Sequence, residues 1–165
     1  MSHQQQGFTL IELIIVVLII GILWVIARPN YCDYTVRAQI NEGINMSNEI
    51  KDAISKYWNT HKVLPINAAV AGLAPAGSYA GTYVTSIAVT NGTITITYGR
   101  DKIRAEIADK KLTIWPVSDS AGNLVWVCGK ANTPVGTALI GATSNGGAPN
   151  FTDIDNRFLS SSCRP

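Results

Sequence analysis

One stretch constrains this chain more than any other: the run from Phe8 to Ala27, FTLIELIIVVLIIGILWVIA, in which Glu12 is the only charged residue. Twenty residues make a helix of about 30 Å, the thickness of a bilayer's hydrocarbon core. A carboxylate in that core costs roughly 2.5–3.5 kcal/mol at the centre and less near the interface. A plain anchor would carry Leu at this position, so Glu12 calls for a compensating partner. A secretory signal peptide has a basic start, a shorter apolar core and a small-residue cleavage site after that core. Here MSHQQQG, without Lys or Arg, precedes the run, and no such site follows it. On composition alone an uncleaved signal anchor is the competing reading.

Past Pro29 the chain reads as a water-exposed domain rich in Gly, Thr, Ser and Asn. Thirteen Lys and Arg against 11 Asp and Glu give a net charge of +2. With no basic block interleaved with aromatics, a strong footprint for nucleic acid or anionic lipid is excluded. His3 and His61 lie far from any cysteine, so no metal site is expected. Neither a P-loop nor a dinucleotide-binding fingerprint occurs, and no cofactor is expected. Asp101, Glu106, Asp109, Asp119, Asp153 and Asp155 read as solvated loop and edge charges. The chain is therefore read as a non-enzyme.

The three cysteines are Cys32, Cys128 and Cys163. If the C-terminal domain is exported, Cys128–Cys163 is the natural pair and Cys32 is left over. Cys32 with either of the others is the alternative. A 128–163 bridge spans 163 − 128 = 35 positions, worth roughly 4 kcal/mol in the chain-entropy picture. Arg28 and Arg37 follow the apolar run, so the positive-inside rule weakly favours the opposite orientation.

Helical periodicity continues beyond the apolar run. Val36, Ile40, Ile44, Ile50, Ile54 and Tyr57 recur near 3.6-residue spacing, with a polar break at Ser47 and Asn48. One helix is expected from about Phe8 to about Trp58, with Pro29 kinking it and Gly21 allowing close packing. Val63 to Gly81 reads as a surface loop. Two β-rich runs flank Asn91-Gly92, a strong hairpin signal. Four antiparallel strands are expected near 83–90, 93–98, 111–117 and 124–128. Residues 103–108 read as a fifth strand or an irregular crossing. Val84, Ile87 and Val89, then Ile94, Ile96 and Tyr98, put one sheet face on the helix stripe. After Gly129 regular signals vanish.

The stretch GFTLIE resembles the prepilin cleavage motif of the type IV filament family, and the likeness extends through RPNYCDYTVRAQINEG and WVCG…SSCRP. The resemblance implies an α+β type IV pilin fold: a long N-terminal helix, membrane-spanning in its first half, packed on a four-stranded antiparallel sheet. It implies residues 1–7 as a leader, 8–29 as the transmembrane and polymerisation helix, and 30–165 as the globular domain. A membrane prepilin peptidase would cut between Gly7 and Phe8 and methylate Phe8. The Glu12 carboxylate would meet the Phe8 amine of a neighbouring subunit, setting the register of a homopolymer; an interfacial Glu12 that simply snorkels is the plainer reading. The Cys128–Cys163 disulfide fits the family, whose secretion pseudopilins commonly lack it and close a calcium loop instead.

The implied function is structural, a pilus subunit serving adhesion, twitching motility or DNA uptake. Its partners would be the inner-membrane assembly platform and minor pilins, with nucleic acid met only through the fibre. It would reside in the inner membrane before assembly and in the extracellular pilus after it. A minor pilin or secretion pseudopilin, and a membrane-anchored binding domain that never polymerises, are the alternatives. Two departures stand out: the leader lacks the common Lys or Arg, and Cys32 replaces another polar residue.

Overall fold

The computed structural model describes residues 8–100, 102–140 and 151–165, without the side chains of residues 27–32. It contains two compact units, Met1–Tyr34 and Thr35–Pro165. A single helix assignment, α1 (Leu10–His61), runs through both. It extends three residues beyond the expected Trp58. It stops where Lys62 turns to φ 54°, its N–H donating to the Trp58 carbonyl at 2.8 Å. The expected kink at Pro29 and the environment of Cys32 fall within residues 27–32 and lie outside the described side chains.

In the first unit the described side chains form no core. Every large apolar residue from Phe8 to Ile26 is at least 45% exposed. Among the described residues no helix is both long and apolar enough to cross a membrane. The described apolar stretch ends at Ile26, short of the full run to Ala27.

In the second unit α1 buries Val36, Ile40, Gly43, Ser47, Ile50 and Ile54. These positions step by four and three alternately, which keeps them on one helical face. The expected break at Ser47 is thus a member of the stripe. Its hydroxyl is buried without cost in hydrogen bonding, because Oγ donates to the Ile44 carbonyl at 2.7 Å. Ile44 and Tyr57 flank the stripe instead, each only partly buried. Tyr57 stacks on His61, ring centroids 4.1 Å apart.

The stripe covers one face of an antiparallel sheet of β1 (Val84–Thr90), β2 (Thr93–Tyr98), β3 (Lys111–Ser118), β4 (Leu124–Cys128) and β5 (Ala138–Leu139). The first four follow in spatial order, and β5 pairs with the end of β3. The sheet has five strands rather than the expected four, because a two-residue strand leaves no period to read. Asn91 and Gly92 have φ of 48° and 76°, the two positive values a tight hairpin between β1 and β2 needs. Val84, Ile87, Val89, Ile94, Ile96 and Tyr98 all face the core; alternation places all of them but Val84, which a register shift between Val84 and Ser86 brings to the same face. Pro116 is tolerated in a central strand because it falls between the part of β3 paired with β2 and the part paired with β5. On the opposite sheet face, Trp115, Val117 and Val127 form a second, smaller cluster.

Residues 103–108 form turns rather than a strand. Ile107 still reaches the core, and Gln39 of α1 holds the crossing at both ends of its amide, to the Lys102 carbonyl and the Arg104 N–H. The region after Gly129 is not peripheral either. Ile154, Phe158, Leu159 and Cys163 are buried against the same core.

Candidate functional site

The N-terminal segment is built around the first turn of α1. Thr9 precedes the helix, and its carbonyl accepts the N–H groups of Glu12 and Leu13 at 3.1 and 3.3 Å. The Thr9 hydroxyl donates to Glu12 Oε2 at 3.3 Å. Thr9-Leu-Ile-Glu12 thus has the spacing of a capping box, with the hydroxyl meeting the carboxylate directly. The positive end of the helix dipole favours a carboxylate in this turn. Local structure accounts for part of why a glutamate stands here. Phe8, 74% exposed, lies just outside the helix with its ring free in the single chain. Gly7 lies outside the described residues.

At the other end of the chain, Cys128 and Cys163 are bonded, their Cα atoms 4.6 Å apart. The bridge ties the end of β4 to the C-terminal segment. Beside it the Lys130 N–H donates to the Cys163 carbonyl at 2.8 Å. Gly129 fits there because a Cβ would stand 2.7 Å from that same oxygen, and because its φ is 62°. The segment is held a second time by two arginines. Arg37 of α1 donates from Nε and Nη2 to the Arg157 carbonyl at 3.0 and 2.6 Å. Arg164 donates to the same oxygen at 3.1 Å and to the Leu159 carbonyl at 2.8 Å. No sequence signal marks these contacts, since the Arg37 pair spans 120 positions.

The loop leading into β1 is pinned through Glu42, whose carboxylate accepts the N–H groups of Thr82 and Tyr83 at 2.5 and 3.2 Å. Among the described residues no group of His, Cys, Asp and Glu is arranged to hold a metal ion. The β3–β4 turn closes on Asp119, which accepts the backbone N–H groups of Asn123 and Ala121 at 2.8 and 2.9 Å. Those bonds, the Asn123 one first, hold its carboxyl below the usual range. Each of these carboxylates thus serves the fold by accepting backbone N–H groups, and Asp119 also accepts the Asn123 side-chain amide at 3.2 Å.

Residues 36–164 match the family model described as Pilin (bacterial filament), and residues 2–27 match the prokaryotic N-terminal methylation motif. The chain is 39% identical over 99% of its length to a type IV major pilin protein PilE of Neisseria gonorrhoeae, covering 96% of that protein. It is likewise 39% identical over 99% of its length to a fimbrial protein of Neisseria meningitidis, again 96% covered. A fimbrial protein EcpC of Eikenella corrodens is 35% identical over 99% of the chain, with 94% covered. A long N-terminal helix laid on an antiparallel sheet, a closed C-terminal disulfide and these full-length likenesses agree, and the chain belongs to the pilin family of bacterial filaments.

Proposed function

We propose that the chain is the structural subunit of a type IV pilus, exposed on the cell surface, and that it polymerises through its N-terminal segment. The observation that carries this reading is the contrast between the two units. One is packed and disulfide-bonded; the other exposes every large apolar side chain from Phe8 to Ile26. Such a surface is covered only by lipid or by like helices. Lipid would cover it before assembly and neighbouring copies would cover it in the fibre. The relatives named as major pilins and fimbrial proteins support the same role.

In this reading residues 1–7 are a leader removed by a prepilin peptidase at Gly7-Phe8, and Phe8 is methylated. The new amine pairs with Glu12 of a neighbour. Charges about 4 Å apart attract strongly away from water, but desolvation offsets much of the gain, so the pair acts chiefly on register. The subunit waits in the inner membrane, and an assembly platform with minor pilins inserts it. Surface adhesion and twitching motility are the activities the fibre would serve, with DNA uptake a further one.

Intact mass of the protein in sheared surface fibres tests the reading. The expected species begins at methylated Phe8 and carries one intramolecular disulfide. Fibres whose subunit begins at Met1 or Ser2 would overturn the processing. Surface fibres that lack this chain would overturn the structural role.

A further inference from the structure

The β1–β2 turn is held from outside the sheet. A two-residue hairpin closes on the residues that flank it, here Thr90 and Thr93, and leaves the amides of its two central residues to be satisfied elsewhere. The Asn91 N–H donates to the Ile66 carbonyl at 2.9 Å, and the Gly92 N–H donates to the Pro65 carbonyl at 2.9 Å. A further bridge joins Asn67 to Thr90. The Leu64 side chain lies against the turn, where a Cβ at Gly92 would stand 2.9 Å from its methyl carbons. Gly92 is accordingly buried, while Asn91 is exposed. The chain leaving α1 thus forms a latch, residues 64–67, over an Asn-Gly pair.

An asparagine before glycine is open to attack by its own backbone, because glycine puts no Cβ beside the reacting nitrogen. We propose that Asn91 is a deamidation site which the latch keeps closed, so that local opening of residues 64–67 sets its rate. In the reaction the Gly92 amide gives its proton to water and its nitrogen bonds to Asn91 Cγ. The Cγ–Nδ2 bond breaks, and ammonia leaves on a proton taken from water. A second water then opens the succinimide at one of its two carbonyls, giving aspartate or isoaspartate. No electrons are exchanged, and water is the only co-reactant. Asn91 is exposed, so water can enter and ammonia can leave. The structure withholds the nucleophile: its proton is engaged by Pro65 and its approach is crowded by Leu64. Within the latch Pro65 is buried and Leu64 half-buried, while Ile66 and Asn67 are exposed. Few buried contacts therefore hold it, which is the property of segments that open locally. The two products differ in consequence. Aspartate before glycine still suits the turn. Isoaspartate adds a carbon to the main chain, and a two-residue turn has no room for it, so the β1–β2 register that depends on turn length is lost for good.

The test follows the full chain in detergent at one pH and temperature. Samples taken over time are digested, and the peptide containing Asn91 is mapped for the mass gain of amide to acid and for isoaspartate. Asn145-Gly146 is a second such pair, outside the described residues, so its peptide is scored separately. At Asn91 the folded chain should convert at least about tenfold more slowly than the reduced chain in strong guanidinium. Equal rates overturn the protection. Leu64→Ala removes the apolar cover and should raise the folded-state rate about tenfold while leaving the unfolded rate unchanged. A folded-state rate equal to wild type overturns the assignment to the latch. Dilute guanidinium, below the unfolding transition, separates local from global opening in the wild-type chain itself. The rate should stay flat there, because opening the latch exposes little surface. A rate that climbs in step with global unfolding overturns the latch as the element that sets it.

Discussion

Tyr98 Oη donates to the Ile40 carbonyl at 2.8 Å, joining the end of β2 to α1 across 58 positions of sequence. Gly43 makes the approach possible. A Cβ there would stand 2.6 Å from that hydroxyl and 2.8 Å from Ile96 Cγ2. Burial, with the charge of Glu42 adding to it, pushes the Tyr98 phenol well above its usual range, so it remains a donor at all working pH. Tyr98→Phe should cost about 1 kcal/mol, because Ile40 keeps its helical bond. Gly43→Ala should destabilise despite a helix-propensity gain of about 1 kcal/mol, since overpacking a fixed ring costs about 1–3 kcal/mol. In the double variant the closest clash is gone. Denaturant unfolding should therefore show the two costs to be non-additive by at least about 0.5 kcal/mol, in the relieving direction.

The disulfide makes a second test. Cys128→Ser and Cys163→Ser each open the same 35-position loop, so each should cost about 4 kcal/mol. Thermal unfolding should place the two variants within about 1 kcal/mol of one another. A variant near wild type would mean that its cysteine is not in the bridge.

Asp119 gives a pH signature. Its folded-state carboxyl is depressed by the N–H groups it accepts, so its contribution is present above the unfolded value of about 3.9 and is lost as pH falls through the lower folded value. Asp119→Ala should lower the melting temperature at pH 7. The gap to wild type should close as the pH falls below the carboxylate range. A gap independent of pH would assign the effect to turn geometry rather than to the charged carboxylate.

The legible parts of this fold are those with a local cause. Alternation from Ile87 through β2 and the Asn91-Gly92 turn depend on residues a few positions apart, and the structure has them where the pattern requires; the irregularity that turns Val84 to the same face has no such local signal. Ser47 looks like a break in the sequence because it is polar; only the packed stripe reveals that a small hydroxyl bonding its own helix fits the interface. Ile154, Phe158 and Leu159 lie in a stretch without period, and they are buried because a distant bridge and two arginines bring them back to the sheet. At the site, the Gly-Phe-x-x-x-Glu pattern was readable as a motif. The hydroxyl-to-carboxylate bond from Thr9 was not, because it depends on where the helix begins.

Glu12 has two candidate reasons to exist: a cap on its own helix, and a charge for a neighbour's amine. Glutamine separates them. It keeps an oxygen for the Thr9 hydroxyl, and Gln serves a capping box as Glu does, but it carries no charge. Alanine removes both. If the cap were the whole role, Glu12→Gln would assemble normally and Thr9→Val would fail along with Glu12→Ala. If the charge decides, both Glu12 variants lose fibre yield to a similar extent, while Thr9→Val, which disturbs only the local bond, stays within about twofold of wild type. The second pattern is expected. A single exposed hydrogen bond at 3.3 Å contributes at most about 1 kcal/mol, whereas an amine left without its carboxylate in an apolar shaft costs several. Processing at Gly7-Phe8 and folding of the second unit should be unchanged in all three variants, so an assembly defect without precursor accumulation is the signature to look for.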